Sequence, residues 1–167
     1  MGGGRSGKGG HATSKVWHFD THARRPEKAW LRGVNAKIDD GVSIRWAQVV
    51  SPLFHSRFSA RARTYRYIIY NTRTPSALMK NLVTWDRRRF TFADMLAGSR
   101  YLTGEHNFNA FRAADCQSKP SFRRMDAIPT NKVGDLIVFK FTATYLYYQL
   151  FIIIVGCLTL VATGTHP

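Results

Sequence analysis

The chain has 167 residues, enough for one domain or two small ones sharing a core, and 44% of them are apolar. Lysine and arginine number 25 against 10 aspartates and glutamates, a formal charge of +15 that predicts a polyanionic partner, nucleic acid first and an anionic membrane surface as its competitor. The two cysteines, Cys116 and Cys157, form no C-x-x-C pair; they exclude a disulfide scaffold and fit a reducing, cytoplasmic setting.

Met1–Gly10 (MGGGRSGKGG) is glycine-rich and basic, without the apolar run of a secretory signal. It also lacks the G-x-x-x-x-G-K-[ST] run, and the preceding strand, of a phosphate-cradling loop. Thr13–Asp20 (TSKVWHFD) is rich in β-branched and aromatic residues and predicts a strand. Pro26 suits a first helical turn, and Ala29, Trp30, Gly33, Val34 and Ile38 continue a helical stripe, so a helix is expected to about Lys37. Asp39-Asp40-Gly41 then makes a turn, and Val42–Val50 predicts a second strand.

Phe54–Asn71 (FHSRFSARARTYRYIIYN) is the stretch that most suggests a function. Side chains of a strand alternate between faces, so Arg61, Arg63, Tyr65, Tyr67 and Ile69 share one side. Two guanidinium forks followed by two rings suit a flexible anionic ligand that carries bases, because arginine grips phosphate and rings stack on unpaired bases. The plainer alternative is a half-exposed strand whose tyrosines only pack.

Asn71–Ser76 reads as a loop, Leu82–Trp85 as a short edge strand, and Asp86-Arg87-Arg88-Arg89 as a charged surface run able to meet phosphate. Thr91 is a suitable N-cap for a helix over Phe92–Leu102, which Gly104 ends. Phe122–Thr130 and Asp135–Ala143 predict a hairpin around Asn131–Gly134. Tyr145–Thr163 (YLYYQLFIIIVGCLTLVAT) is uncharged and close to the ~20 residues that span a bilayer. Gln149, Gly156 and the threonines dilute that signal, and no basic residue flanks its C-terminal side, so a buried core helix is preferred to a membrane anchor. No metal site is expected. His18 and His22 are four apart but on a predicted strand and turn, and His11, His55 and His106 are scattered.

Four blocks carry a family resemblance: AWLRGVNA (Ala29–Ala36), FHSRFSARARTYRYIIYN, YLTGEHNFNAFRAADCQSK (Tyr101–Lys119) and IVG (Ile154–Gly156). In this order, over Gly4–Gly156, the chain resembles bacterial tRNA pseudouridine synthase A. The resemblance implies an α+β fold of two ferredoxin-like halves that form a mixed sheet flanked by helices, 1–76 belonging to the first half and 77–167 to the second. It also implies a homodimer, no cofactor, and isomerisation of uridine to pseudouridine in the anticodon stem-loop of tRNA.

The family's signature loop reads G-R-T-D-A-G-V-H-A, with an Asp nucleophile and an adjacent Arg that helps hold the flipped base. GRSGKGGHA (Gly4–Ala12) lies on it without gaps. Arg5 and His11 match, whereas Gly7 stands where the Asp belongs. Tyr65 falls on the family's base-stacking tyrosine. The family's last motif resembles F-L-x-H-M-V-R-N-I-V-G, whose Arg pairs with that Asp, but YLYYQLFIIIVG (Tyr145–Gly156) has no basic residue and one extra position. Removing one partner of a buried ion pair costs about 3–5 kcal/mol, while removing both can be close to neutral, so a joint loss is physically coherent.

The chain begins almost at the signature loop, so a truncated, diverged copy of the family is expected. RNA contacts are therefore expected from Arg5, His11, Arg57, Arg61, Arg63 and Tyr65, with no intact nucleophile. The alternative is a non-enzymatic basic module that binds RNA or is anchored to a membrane by its apolar tail.

Overall fold

The computed structural model describes residues 2–3, 9–111, 122–125, 127–143 and 148–164. They fall into two compact units, one built mainly from Ser14–Ala60 and the other mainly from Arg61–Pro167.

The first unit holds one helix, α1 (Glu27–Asn35), entered through Pro26, whose carbonyl accepts the Ala29 N–H at 2.9 Å. Pro26 fits there because its missing N–H is one that a first turn leaves unbonded anyway. The two strands expected on either side of α1 do not form. In 13–20 only an isolated bridge joins Trp17 to Gly2, and 42–50 is irregular. Strand propensity measures how well a residue fits a half-buried pleated surface, and these segments lack one: Trp17 and Val49 are 62% and 88% exposed. Side-chain bonds take the place of a ladder. The Asn35 carboxamide donates to the Ile44 carbonyl at 2.9 Å and accepts the Ile44 N–H at 2.7 Å.

The second unit is α+β. Its mixed sheet has the order β2-β1-β6-β5, formed by β1 (Arg63–Asn71), β2 (Thr84–Asp86), β5 (Thr130–Val133) and β6 (Leu136–Ala143). β1 runs antiparallel to β6 from Arg63 opposite Ala143 to Tyr70 opposite Leu136, and β2 adds in parallel at the far end of β1. The edge strand expected at Leu82–Trp85 is thus present, starting two residues later and ending one later.

The hairpin is tighter than expected. β5 and β6 meet through Gly134-Asp135, with Val133 opposite Leu136 and Gly134 at φ 56°. A two-residue hairpin turn needs positive φ, which glycine supplies without strain. β4 (Phe122–Met125) does not join that hairpin; it pairs with β3 (Gly104–Asn107) in a separate two-stranded ribbon.

α2 (Phe92–Tyr101) and α3 (Tyr148–Ala162) pack together, and α3 meets the sheet through Phe151. Thr91 is the N-cap of α2; its side chain makes no cap bond, and its N–H instead donates to the Ala162 carbonyl at 2.9 Å. On α3 the buried positions are Leu150, Phe151, Ile154, Val155, Leu158, Thr159 and Ala162, a stripe at helical spacing, and Cys157 on the other side is exposed. The apolar tail is therefore a core helix, and no helix among the described residues is long and apolar enough to cross a membrane. Facing that stripe are Ile69, Ile137, Phe139 and Phe141 from the sheet and Met95 from α2. Burying each such side chain contributes roughly 1.5–3 kcal/mol.

Candidate functional site

β1 brings three of the six expected contact residues into sequence: Arg61 just before the strand, Arg63 opening it and Tyr65 two residues on. Arg61 is exposed, and Arg63 and Tyr65 are half-buried. The alternation predicted for this stretch holds, but the face changes character along its length. It starts in solvent at Arg61 and ends at Ile69, which is 1% exposed in the core.

Tyr65 sits at the changeover. Its ring stacks on Phe151 of α3 with centroids 4.9 Å apart and planes 24° apart. Tyr67 meets the same Phe151 edge-on at 6.3 Å, and its hydroxyl accepts the Thr84 O–H at 2.8 Å. Burial pushes the Tyr65 phenol above its ordinary value, and the positive charge of Arg63 pulls part of that shift back. The phenol therefore keeps its proton at neutral pH and presents an O–H beside a guanidinium.

The other expected residues lie elsewhere or outside the described residues. Arg57 belongs to the first unit, in the turn after Phe54. Its guanidinium lies over the Phe58 ring at 5.7 Å, and its backbone N–H donates to His55 Nδ1 at 3.2 Å. His11 groups with the second unit and is exposed. Arg5 and Gly7 lie outside the described residues.

Two carboxylates can be placed against Tyr65 along β1. Asp86 pairs in register with Asn71, and the Asp135 carbonyl accepts the Asn71 N–H at 2.8 Å. Asn71 is six residues beyond Tyr65, so both acids lie at the far end of the strand, about 20 Å away at ~3.4 Å per residue. Asp86 is moreover engaged by Arg88: hydrogen bonding from that guanidinium holds its carboxyl below the ordinary range.

The residue that sequence reasoning missed is Phe151. The tail reads as a core helix, but nothing in its composition reveals which ring it lays on Tyr65. A partial signal exists in the family motif. Counting back from Ile154-Val155-Gly156, its Arg falls at Ile152, next to Phe151. Here Ile152 is an apolar side chain packed against the core.

No family model matches the chain. Curated relatives do. It is 40% identical to tRNA pseudouridine synthase A of Dechloromonas aromatica over 163 residues, 98% of this chain and 62% of that protein. Against the protein of the same name from Histophilus somni, identity is 42% over 164 residues, 98% of this chain and 61% of the relative. For that of Pseudoalteromonas atlantica it is 41% over 161 residues, 96% and 60%. The chain thus spans less than two thirds of the length of the relatives it matches. Over nearly its whole length it is, by sequence, a homologue of the proteins named tRNA pseudouridine synthase A.

Proposed function

We propose that this chain is a tRNA pseudouridine synthase homologue that binds the anticodon stem-loop of tRNA, in the cytoplasm, and isomerises uridine poorly or not at all. The observation that carries this reading is a contrast within the sequence. Tyr65 and its neighbours Arg61 and Arg63 keep the residue types that grip an extruded nucleotide, while Gly7 stands where the resemblance expects the attacking acid.

The reaction breaks the C–N bond between uracil and C1′ of the ribose and forms a C–C bond from the same base to the same carbon. The ring carbon that joins C1′ gives up its proton to water and the released ring nitrogen takes one up, so the formula is unchanged and a tritium on that carbon is set free. The base must be held while it is detached, and a carboxylate that captures one of the fragments covalently provides that hold. Glycine provides none. Ile152, at the position of the acid's basic partner, carries the same loss one step further. The retained side chains still do useful work on RNA: the guanidinia of Arg61 and Arg63 meet phosphate, and the protonated Tyr65 phenol offers a ring edge and an O–H to a flipped base. We propose in addition that the family's homodimer and its two ferredoxin-like halves carry over to this chain.

The test is a pair of measurements on one RNA, an anticodon stem-loop with a tritiated uridine. Binding should be measurable and weakened by Arg63→Ala, while tritium release should stay at background. Robust release by the purified chain would refute the loss of catalysis, and absence of binding would refute the grip. Gly7→Asp alone should recover little rate, because Ile152 leaves the new carboxylate without its basic partner.

A further inference from the structure

The sheet has a second face. The register that sends Tyr65, Tyr67 and Ile69 toward α3 sends Thr64, Arg66, Ile68 and Tyr70 of β1 the other way, together with Val138, Lys140 and Thr142 of β6. None of the strand positions on this outer face is acidic.

Two successive rungs of the β1·β6 ladder, and one pair of β1 with β2 further along, stand out there. Thr64 and Thr142 join hydroxyls at 3.0 Å. Next, Arg66 stands directly opposite Lys140, both exposed. Like charges facing each other across a sheet destabilise it, and neither residue has an acidic partner among the described residues. At the far end Tyr70 pairs in register with Trp85 of β2, which is 42% exposed. The indole N–H donates to the Thr72 carbonyl at 3.0 Å, which holds the partly exposed ring in place.

We infer that this outer face is a binding platform for single-stranded RNA, separate from the Tyr65 site. A phosphate between Arg66 and Lys140 turns the repulsive rung into an attractive one, and whichever of the Thr64 and Thr142 hydroxyls accepts in their mutual bond keeps its own proton to donate to the same group. Four residues along β1, roughly 14 Å away, the Tyr70 and Trp85 rings offer stacking surfaces for unpaired bases. Single-stranded RNA alternates these two chemistries along its length, and the protein's net charge of +15 favours it over any cationic or neutral partner. The platform extends the RNA-binding reading to a second surface, and its test lets the two fail separately.

The test is fluorescence anisotropy with labelled oligouridylate over a range of salt concentrations. The double variant Arg66→Ala/Lys140→Ala should raise Kd about tenfold or more and make the log–log salt dependence shallower by about 0.7, the contribution of the one phosphate the pair holds on a single strand. Tyr70→Leu should raise Kd at least about fivefold with the salt slope unchanged, the signature of lost stacking. Removing the repulsive rung should leave the melting temperature of the double variant unchanged or higher, which certifies its fold. The inference falls if the wild-type chain does not bind oligouridylate, or if the double variant binds it with unchanged affinity and slope. It also falls if the double variant melts lower than wild type. If Arg63→Ala abolishes stem-loop binding while the outer-face variants leave oligouridylate binding intact, the stem-loop reading stands and this one is overturned.

Discussion

Phe151 packs α3 against the sheet, and Phe151→Ala puts that packing to the test. The ring is 4% exposed. Three other rings surround it: Tyr65 at 4.9 Å, Tyr67 at 6.3 Å and Phe141 at 5.9 Å. Truncating a buried phenylalanine costs about 3–5 kcal/mol through lost transfer energy and the cavity left behind. Aromatic pairs add about 0.5–1.5 kcal/mol each beyond area burial, so three of them place this site toward the upper end. For a protein of ordinary stability, about 5–15 kcal/mol, that is a large share. Urea unfolding followed by circular dichroism reads it directly. With a slope of ~2 kcal/mol per molar, the midpoint should fall by about 1.5–2.5 M. Leu78→Ala is the control: that side chain is 92% exposed, and its loss should change stability by no more than about 0.5 kcal/mol. The same variant unpacks one side of Tyr65, so the phenol should titrate closer to its ordinary value. A midpoint shift below about 0.5 M with Tyr65 titrating as before would refute the packing of α3 against the sheet.

Tyr65 also gives a pH limb to stability. Its folded value is raised by burial, so its contribution is complete below the unfolded value of about 10 and is lost as pH rises through the folded one. Unfolding midpoints measured into the alkaline range should show this decline in the wild type and a smaller one in Tyr65→Phe. Asp86 works in the opposite sense: its value is lowered by Arg88, so its contribution is present above the ordinary carboxylate value and lost as pH falls. The pair is partly exposed, so Asp86→Asn should cost only about 0.5 kcal/mol near neutral pH in denaturant titration, and the cost should shrink in acid. Gly98→Ala should destabilise by less than about 1.5 kcal/mol in the same assay: a Cβ there meets Leu158 Cδ2 at 3.0 Å, a contact a leucine tip can relieve by a small shift.

What the sequence made legible was whatever depends on local pattern. α1 begins at its proline, β1 alternates as its residues demand, α2 follows Thr91, and the apolar tail buries a helical stripe. What it did not reveal was pairing. Thr13–Asp20 and Val42–Val50 have the composition of strands but find no sheet among the described residues, since a strand exists only by virtue of a neighbour. Phe122–Met125 was expected beside β6 and lies beside β3 instead, because four short residues carry too little pattern to choose a partner. The candidate site was legible by the same rule. Arg61, Arg63 and Tyr65 follow from strand alternation together with the family resemblance. Phe151 comes from a distant helix, and only the packing of α3 against β1 brings it to Tyr65.

The central claim, grip retained and chemistry lost, is met most directly by following one anticodon stem-loop through both steps with the purified chain. The account predicts saturable binding that Arg63→Ala weakens, together with no pseudouridine detectable by mass spectrometry after prolonged incubation. Conversion of the bound uridine at a rate well above that of the RNA alone would contradict it.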